Sequence, residues 1–495
     1  MIAQEFFKDA SIRVHDRNQF EIKIDYPLNS HEKVTSYQVD AFFFIPYHLN
    51  INQATYKKTD FINDVHGYIR FKTPKMTMGD ILTSSASPLL ILGQWQELEM
   101  QDNLTDALEY HIKMFGCIMK STLRDYVEGL RDRHKEIETE EAANYARQIK
   151  KILHVWRLLK HDLDKRIVRT RHMKQMLQYT DEYVSYLVEE YSYRLVRLVE
   201  NTKKSDCLKV KGPIMDLLRS EISYRKDSGY PLAPDVNGDN EQLIFRRSVL
   251  KKHISNILFL TIRSIKEPKI AKEAAYAVAA GCAMIVATVI AFLFQKKYGD
   301  FTLPFFIALV VGYMFKDRLK DFMRNYIQNK FITRFYDIRT FIYDLKKRGR
   351  LGVCSEMFRF VRRKDVPAEI LRIRNMDHIT SMDNEANGEN ILTYQKVIRL
   401  YSKRIPKKGY PVFGLSDIMR FNVAYLLKYM DDPVTDIYVL NDEDYQVIPG
   451  KRVYHVNIVL RFCAKERNQY RRLRLVLDKN GIKRIESQMK EENDD

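Results

Sequence analysis

The sequence predicts an α+β membrane protein in which two cytoplasmic lobes, each with α/β and helical parts, flank a two-helix transmembrane hairpin. Two apolar runs stand close together just past the middle of the chain, and basic residues crowd their outer ends. The flanking sequence alternates between strand-like and helix-like periodicity. With 495 residues, of which 45% are hydrophobic and 29% charged, the composition is that of a folded chain.

Residues 1–102 are predicted to form an N-terminal α/β unit. Ile22, Ile24 and Tyr26 alternate with polar residues as in a half-buried strand, and "VTSYQVDAFFFIP" is typical of a more fully buried one. The 3.6-residue pattern of "NQATYKKTDFINDVHGYIRF" predicts a helix after these strands.

Residues 103–266 are predicted to form a cytoplasmic helical region. Helical periodicity dominates from Asn103 to Asn201, and the sequence after Glu140 continues for many turns without Gly or Pro. This pattern predicts a bundle or a coiled-coil-like arm, followed by another helix between Glu241 and Lys266.

Residues 274–315 carry the predicted transmembrane hairpin. The run 274–294 has 21 uncharged residues, and at 1.5 Å per residue it spans about 31 Å, close to the hydrocarbon thickness of a bilayer. The run 301–315 has only 15 residues, about 22 Å, so it needs local thinning of the bilayer or charged residues at both interfaces.

The distribution of Lys and Arg predicts that both termini are cytoplasmic. The connection between the two runs contains only Lys296 and Lys297. Ten basic residues lie within twenty residues of the outer ends: Arg263, Lys266, Lys269, Lys272, Lys316, Arg318, Lys320, Arg324, Lys330 and Arg334. By the positive-inside rule, the large flanks stay in the cytoplasm.

Small residues recur along the hairpin and predict close packing between helices. In the first run they are spaced by four residues: Ala275, Ala279, Ala283, Ala287 and Ala291. In the second run, Ala308 and Gly312 are also four apart. Such a row lets two helix backbones approach within the hairpin or between copies of the chain; the alternative is chance, since alanine is common in membrane spans.

Residues 316–350 are predicted to form a basic amphipathic juxtamembrane helix, with eleven basic and four acidic residues. It is expected either to pack on the cytoplasmic lobes or to lie along anionic lipid. The residues expected to contact lipid are Lys266, Lys269, Lys272, Lys316, Arg318, Lys320 and Arg324.

Residues 351–394 are predicted to be a polar linker region, and residues 395–495 a second α/β unit. In this unit "GLSDIMRFNVAYLLKYM" is predicted to be a helix, and the sequence from Lys451 onward predicts a three-stranded meander with a turn at Asn480 and Gly481.

No motif in the sequence identifies a reaction or a cofactor. The five cysteines form no CxxC pair, the first twenty residues contain no apolar signal region, and phosphate-loop, dinucleotide, nucleophile-elbow and zinc motifs are missing from the sequence. His154, His161 and His172 face one way on a helix but are about 10 and 16 Å apart along it, too far to share one metal.

Two further patterns resemble sites without completing one. Asp162 and Asp164 fit a solvated helix face better than acid–base machinery. The calcium-loop pattern from Asp383 fails because its twelfth position is Tyr394 instead of Glu.

These features predict a membrane-anchored, cytoplasmic-facing interaction, scaffold or regulatory protein that needs no cofactor. The net charge of +18 favours anionic lipid as a partner. A second copy of the chain and an unidentified protein are further candidates, whereas the basic segments alternate as strands do and argue against nucleic acid. Two alternatives stay open: an oligomeric pore-forming or membrane-disrupting effector, and a membrane-tethered enzyme without a recognisable motif.

Overall fold

The computed structural model describes residues 10–29, 31–94, 104–133, 137–166, 171–201, 207–233, 240–266, 269–299, 302–330, 336–344, 349–376, 388–405, 410, 412–442, 444–465 and 467–489. Its contacts divide the chain into two units. We call Met1–Arg70, Leu260–Ile405 and Gly414–Asp495 the sheet unit, and Phe71–Phe259 with Pro406–Phe413 the helical unit. The fold is mixed α+β, as the sequence predicts at that level.

The sheet unit contains an eight-stranded antiparallel sheet in the order β14-β13-β12-β3-β8-β7-β6-β5. Its strands are β3 (Thr35–Pro46), β5 (Thr261–Lys266), β6 (Ile338–Tyr343), β7 (Arg350–Val361), β8 (Glu389–Leu400), β12 (Tyr454–Ala464), β13 (Arg467–Asp478) and β14 (Gly481–Met489). The meander predicted at the C-terminus is therefore present, as β12, β13 and β14.

A second sheet in this unit has four strands in the order β1-β2-β9-β4. They are β1 (Ser11–Val14), β2 (Gln19–Pro27), β4 (Val65–Phe71) and β9 (Gly414–Asn422). Two helices, α1 (Lys58–Asp64) and α11 (Ala368–Arg374), and a single turn, α12 (Ala424–Leu427), complete the unit together with a separate two-stranded ribbon of β10 (Val434–Leu440) and β11 (Tyr445–Lys451).

The predicted N- and C-terminal α/β units form one body instead of two lobes. Strand β3 lies between β8 and β12, and β2 pairs with β9. Most of β3 is buried, so its edges need hydrogen-bonding partners, and strands from the C-terminal part of the chain supply them.

Aromatic side chains join the faces of the two sheets. Phe421 of β9 lies 5.8 Å from Phe43 of β3 and 6.1 Å from Tyr394 of β8, measured between ring centroids. Phe61 of α1 stacks on Phe358 of β7 at 4.3 Å. Such ring pairs contribute beyond their buried area, so this cluster fixes the separation of the sheets.

The helical unit is built from α4 (Leu104–Asp132), α5 (Thr139–Arg166), α6 (Arg171–Asn201), α7 (Cys207–Asp227) and α8 (Glu241–Ser255), with the short helices α2 (Met78–Thr83) and α3 (Pro88–Gly93). The predicted unbroken helix after Glu140 is divided into α5 and α6. The amphipathic faces of these helices meet in one core. In this core Phe115 packs on the buried Trp156, with 4.7 Å between the ring centroids.

Two long helices, α9 (Lys269–Tyr298) and α10 (Leu303–Lys330), pack against each other and carry the two apolar runs. The predicted helix over residues 316–350 is not one element. Its first part belongs to α10, and β6 follows at Ile338, where alternating buried side chains pair with β5 and β7. The predicted linker over residues 351–394 is mostly β7, α11 and β8; residues 377–387 lie outside the described residues.

Candidate functional site

A set of buried polar side chains lies between the two sheets. On β8, Tyr394 and Lys396 are two residues apart and therefore project from the same face. On the neighbouring strand, Glu356 is directly opposite Lys396. The facing sheet contributes Asp417 from β9 and Tyr26 from β2. Five side chains from four strands thus meet in the interior of the sheet unit.

An ion pair joins the two sheets at this point. The Lys396 Nζ atom lies 2.6 Å from Asp417 Oδ2 and 3.6 Å from Glu356 Oε1. The side chains of Lys396 and Asp417 are 5% and 0% exposed, whereas Glu356 is 19% exposed. Glu356 therefore lies toward the edge of the buried set.

Burial and charge compete in setting the protonation of this ion pair. Burial acts to lower the pKa of Lys396, but the adjacent Asp417 carboxylate more than offsets this and holds the pKa of Lys396 well above its ordinary value. Burial raises the pKa of Asp417 despite the opposing effect of Lys396. Lys396 consequently stays an ammonium ion at neutral pH.

The phenols and the thiol beside the pair stay neutral. Burial raises the pKa values of Tyr26, Tyr394 and Cys354 well above their ordinary ranges. The Tyr394 hydroxyl donates a hydrogen bond to Glu356 Oε1, and the Tyr26 hydroxyl donates to Asp417 Oδ2 at 3.4 Å. Neither the ammonium of Lys396 nor the thiol of Cys354 is in the deprotonated form that attacks an electrophile.

One atom of the set is left without a hydrogen bond. Asp417 Oδ1 is fully buried and has no hydrogen-bond partner among the residues that the structure describes. Leaving a buried charged acceptor unpaired is unfavourable by roughly 1–3 kcal/mol or more. Such an exception among buried polar groups needs a physical explanation.

The polar set borders a cavity of about 300 Å³. Its walls are largely apolar and include Phe61, Phe358, Met357, Met419 and Ile338. Asp417, Lys396, Glu356 and Tyr394 also line it. A concave, mostly apolar space with a few convergent polar groups is typical of a small-molecule binding site.

The apolar surface of α9 is the second functional feature. Within the described part of the chain, one helix is long and apolar enough to cross a membrane: Tyr276–Tyr298, with a mean hydropathy of 2.5 and 11% of its apolar stretch buried. Large side chains such as Ile285, Phe292 and Leu293 are more than half exposed. The second predicted span does not meet this standard because α10 becomes charged from Lys316 onward.

The small residues predicted to pack the hairpin occupy the α9–α10 contact in part. Ala279 and Ala283 of α9, and Ala308 and Gly312 of α10, are buried, while Ala287 and Ala291 are partly buried. A Cβ added at Gly312 would meet no atom within 4 Å, so this position does not itself require glycine. The side chain of Ala275 lies outside the described residues.

The residues predicted to contact lipid lie along β5, α9 and α10. The Lys316 ammonium lies 3.9 Å from the centroid of the Tyr313 ring, and Arg324 stacks over Tyr276 at 4.5 Å. Lys266 and Arg318 are exposed, and Lys320 is partly buried. The side chains of Lys269 and Lys272 are outside the described residues.

The histidines of the predicted helical row, His154, His161 and His172, are all exposed. The structure brings together a different set of residues, spread over distant parts of the sequence. No local motif links Tyr26, Glu356, Lys396 and Asp417, and Asp417 lies in a segment predicted to be helical. The one available signal was charge in otherwise buried strands, since Lys and Asp interrupt apolar runs at these positions.

Searches against models of known protein families, curated proteins and solved structures found no match for this chain.

Proposed function

We propose that the protein is a membrane-anchored, cytoplasmic-facing binding protein of regulatory or scaffold type. The observation that carries the proposal is the exposed apolar surface of α9, which water solvates poorly and a bilayer would cover. The neutral thiol and charged lysine of the interior cavity support a binding role over covalent catalysis. A membrane-tethered enzyme therefore ranks below a binding protein.

The finer part of the proposal is that α10 forms a second, short span. Its apolar part, from Leu303 to Phe315, is about 20 Å long, so the bilayer must thin around it. The cytoplasmic headgroups would then contact Lys316, Arg318, Lys320 and Arg324. Lys266, which precedes the first span, would lie on the same side of the bilayer. Both termini would face the cytoplasm.

Fractionation of cells that express the full chain tests the anchor. We expect the protein in membranes that have been washed with alkaline carbonate, and we expect Ile285→Lys together with Phe292→Lys to release it. The matched control, Lys296→Ala with Lys297→Ala, changes charges outside the apolar run and should stay bound. Recovery of the unaltered chain in the soluble fraction would refute the anchor.

Reporter cysteines test the orientation. Cysteines introduced at Asp16 and Lys479, both outside the hairpin, should be protected from impermeant maleimide in intact cells and react after permeabilisation. Labelling of either position from outside would exclude cytoplasmic termini.

The β10–β11 ribbon supports a second copy of the chain as a partner. Every residue of β10 is exposed, including Tyr438 at 67% and Leu440 at 86%. A ribbon of two strands is marginally stable alone in water. The exposed tip carries Asp442 and Asp444, which complement the basic surface expected of a chain with a net charge of +18.

The particle mass after gentle detergent extraction, corrected for bound detergent, tests this contact. We expect a dimer that Tyr438→Asp with Leu440→Asp converts to a monomer, while the control Thr435→Ser leaves it intact. A monomeric wild-type chain would rule the contact out. A closed assembly of more than two copies would instead favour the pore-forming alternative, whose packing surface would be the alanine row.

A further inference from the structure

We propose that the cavity between the two sheets binds a small amine with an apolar, aromatic body, and that its ammonium group lies between Asp417 and Glu356. This inference does not depend on the membrane anchor, because all the residues that carry it belong to the sheets and to α1.

The unpartnered oxygen of Asp417 requires a hydrogen-bond donor. Its Oδ2 atom already accepts from Lys396 and Tyr26, but Oδ1 is fully buried with no partner among the described residues, and Asp417 is one of the residues that line the cavity. An ammonium N–H directed at Oδ1 would satisfy this acceptor without displacing Lys396, once a neighbouring side chain moves to open the fully buried Oδ1 to the cavity. A hydrogen bond of this kind, between two charged groups, is among the stronger ones in proteins.

The balance of charge at the polar end of the cavity favours a cation. Three carboxylates, Asp417, Glu356 and Asp337, and two ammonium groups, Lys396 and Lys266, line the cavity, and Asp417 and Glu356 share Lys396. Within an interior of low dielectric constant, a further positive charge is attracted by the excess carboxylate, whereas an anion is repelled.

The walls fit the rest of such a ligand. Phe61 and Phe358 stack at 4.3 Å and border the space, and Met357 and Met419 offer adaptable sulfur-containing side chains. Aromatic faces attract cations and also stack on aromatic groups. A volume of about 300 Å³ is at the lower end of ligand pockets, so the ligand is small.

Three probes of similar shape and different charge test the proposal: 2-phenylethylamine, 2-phenylethanol and 3-phenylpropionate. Each is titrated calorimetrically into the full chain in detergent, with the heat of mixing into detergent alone subtracted. We expect the amine to bind about tenfold or more tightly than the alcohol, as a charge-assisted hydrogen bond implies, and the anion not to bind. Equal affinity for amine and alcohol, preference for the anion, or no binding of any probe would overturn the proposal.

Two variants assign the preference to the carboxylates. Glu356→Gln should lower the affinity for the amine severalfold and leave the affinity for the alcohol unchanged. Because Glu356 is partly exposed, the variant is expected to fold. Asp417→Asn should remove the preference for the amine, and if it fails to fold, Glu356→Gln alone decides. The control Glu369→Gln, on α11 and away from the cavity, should bind all three probes as the unaltered chain does. An unchanged preference in Glu356→Gln would contradict the proposal.

Discussion

Lys396 and Asp417 show how a single ion pair can join two sheets. Removing one partner of a buried pair leaves an uncompensated charge and is unfavourable by about 3–5 kcal/mol, whereas replacing both with apolar residues is often neutral. Stability therefore does not explain why charges occupy this position. In our proposal the pair forms the polar end of the cavity, and the buried, unpartnered Oδ1 of Asp417 accepts a hydrogen bond from the ligand.

His111 makes the helical unit sensitive to acid. It is 9% exposed on α4, and its Nδ1 atom is 2.8 Å from the Tyr410 hydroxyl. Burial lowers the pKa of His111 from 6.5 to about 4. Because the folded-state pKa is depressed, the stability due to the neutral ring is complete above about pH 6.5 and is lost as the pH falls toward 4.

We predict that His111 contributes on the order of 3 kcal/mol to the pH-dependent loss of stability between about pH 6.5 and 4. Thermal unfolding of the chain and of His111→Gln should be followed across this range. The variant keeps a hydrogen-bonding group for Tyr410 but cannot titrate, so its melting temperature should fall less steeply. Parallel curves for the two proteins would show that His111 does not act in this way.

At the scale of secondary-structure elements, a buried strand can have the apolar spacing of a helix, and β9 was predicted wrongly for this reason. Strand β9 has six consecutive buried residues, Gly414–Met419, so it lacks the polar–apolar alternation that identifies a strand. Its apolar residues Leu415, Ile418 and Met419 fall at the i, i+3, i+4 spacing of a helix, and the sequence predicted one. Because Asp417 lies in this strand, predicting β9 as a helix meant that the sequence analysis could not predict the cavity.

Elements whose apolar residues recur with a clear period were predicted better, even where the strand is mostly buried, as β12 is. The helices between Asn103 and Asn201 and the strands after Lys451 have clear periodicity, and the structure contains them. Pairing between distant strands could not be derived in this way. Nothing local in β3 indicates that its neighbours are β8 and β12, because register depends on the partner's pattern as well as on its own.

The contact between α9 and α10 leads to a prediction about volume. Ala283 is fully buried in this contact, so a leucine there must push the helices apart or adopt a strained rotamer. We expect Ala283→Leu to destabilise the hairpin by about 1–3 kcal/mol, as overpacking usually does, and to lower the melting temperature in detergent.

Ala277→Leu is the matched control, since Ala277 lies on the same helix but is exposed. This substitution adds the same volume on the exposed side of α9, so the variant should have the same melting temperature as the unaltered chain. Gly312→Ala should also be tolerated, because the added Cβ meets no atom within 4 Å. If Ala283→Leu melts no lower than Ala277→Leu, the two helices do not depend on close packing at this position.

At the scale of the whole molecule, the apolar hairpin is an insertion between two adjacent strands. Strand β5 ends at Lys266, which pairs directly with Ile338 at the start of β6. The chain therefore leaves the sheet and returns to it at neighbouring positions. The same two strands line the cavity through Ile262, Ser264 and Thr340, so the cavity wall is continuous in sequence with the segment that we propose enters the membrane.

This arrangement predicts that the hairpin can be removed without unfolding the sheets. Replacing residues 267–336 with a short Gly-rich turn should give a chain that is soluble without detergent, because β5 and β6 keep their register and the exposed apolar surface of α9 is gone. Circular dichroism and size-exclusion chromatography should show a folded, monodisperse product that binds 2-phenylethylamine like the full chain. The control extends the deletion through Tyr343; it removes β6 and with it Ile338 and Thr340 from the cavity wall, and should lose both folding and binding. Aggregation of the shorter deletion would mean that α9 and α10 are part of the folded core, and would argue against the membrane anchor as well.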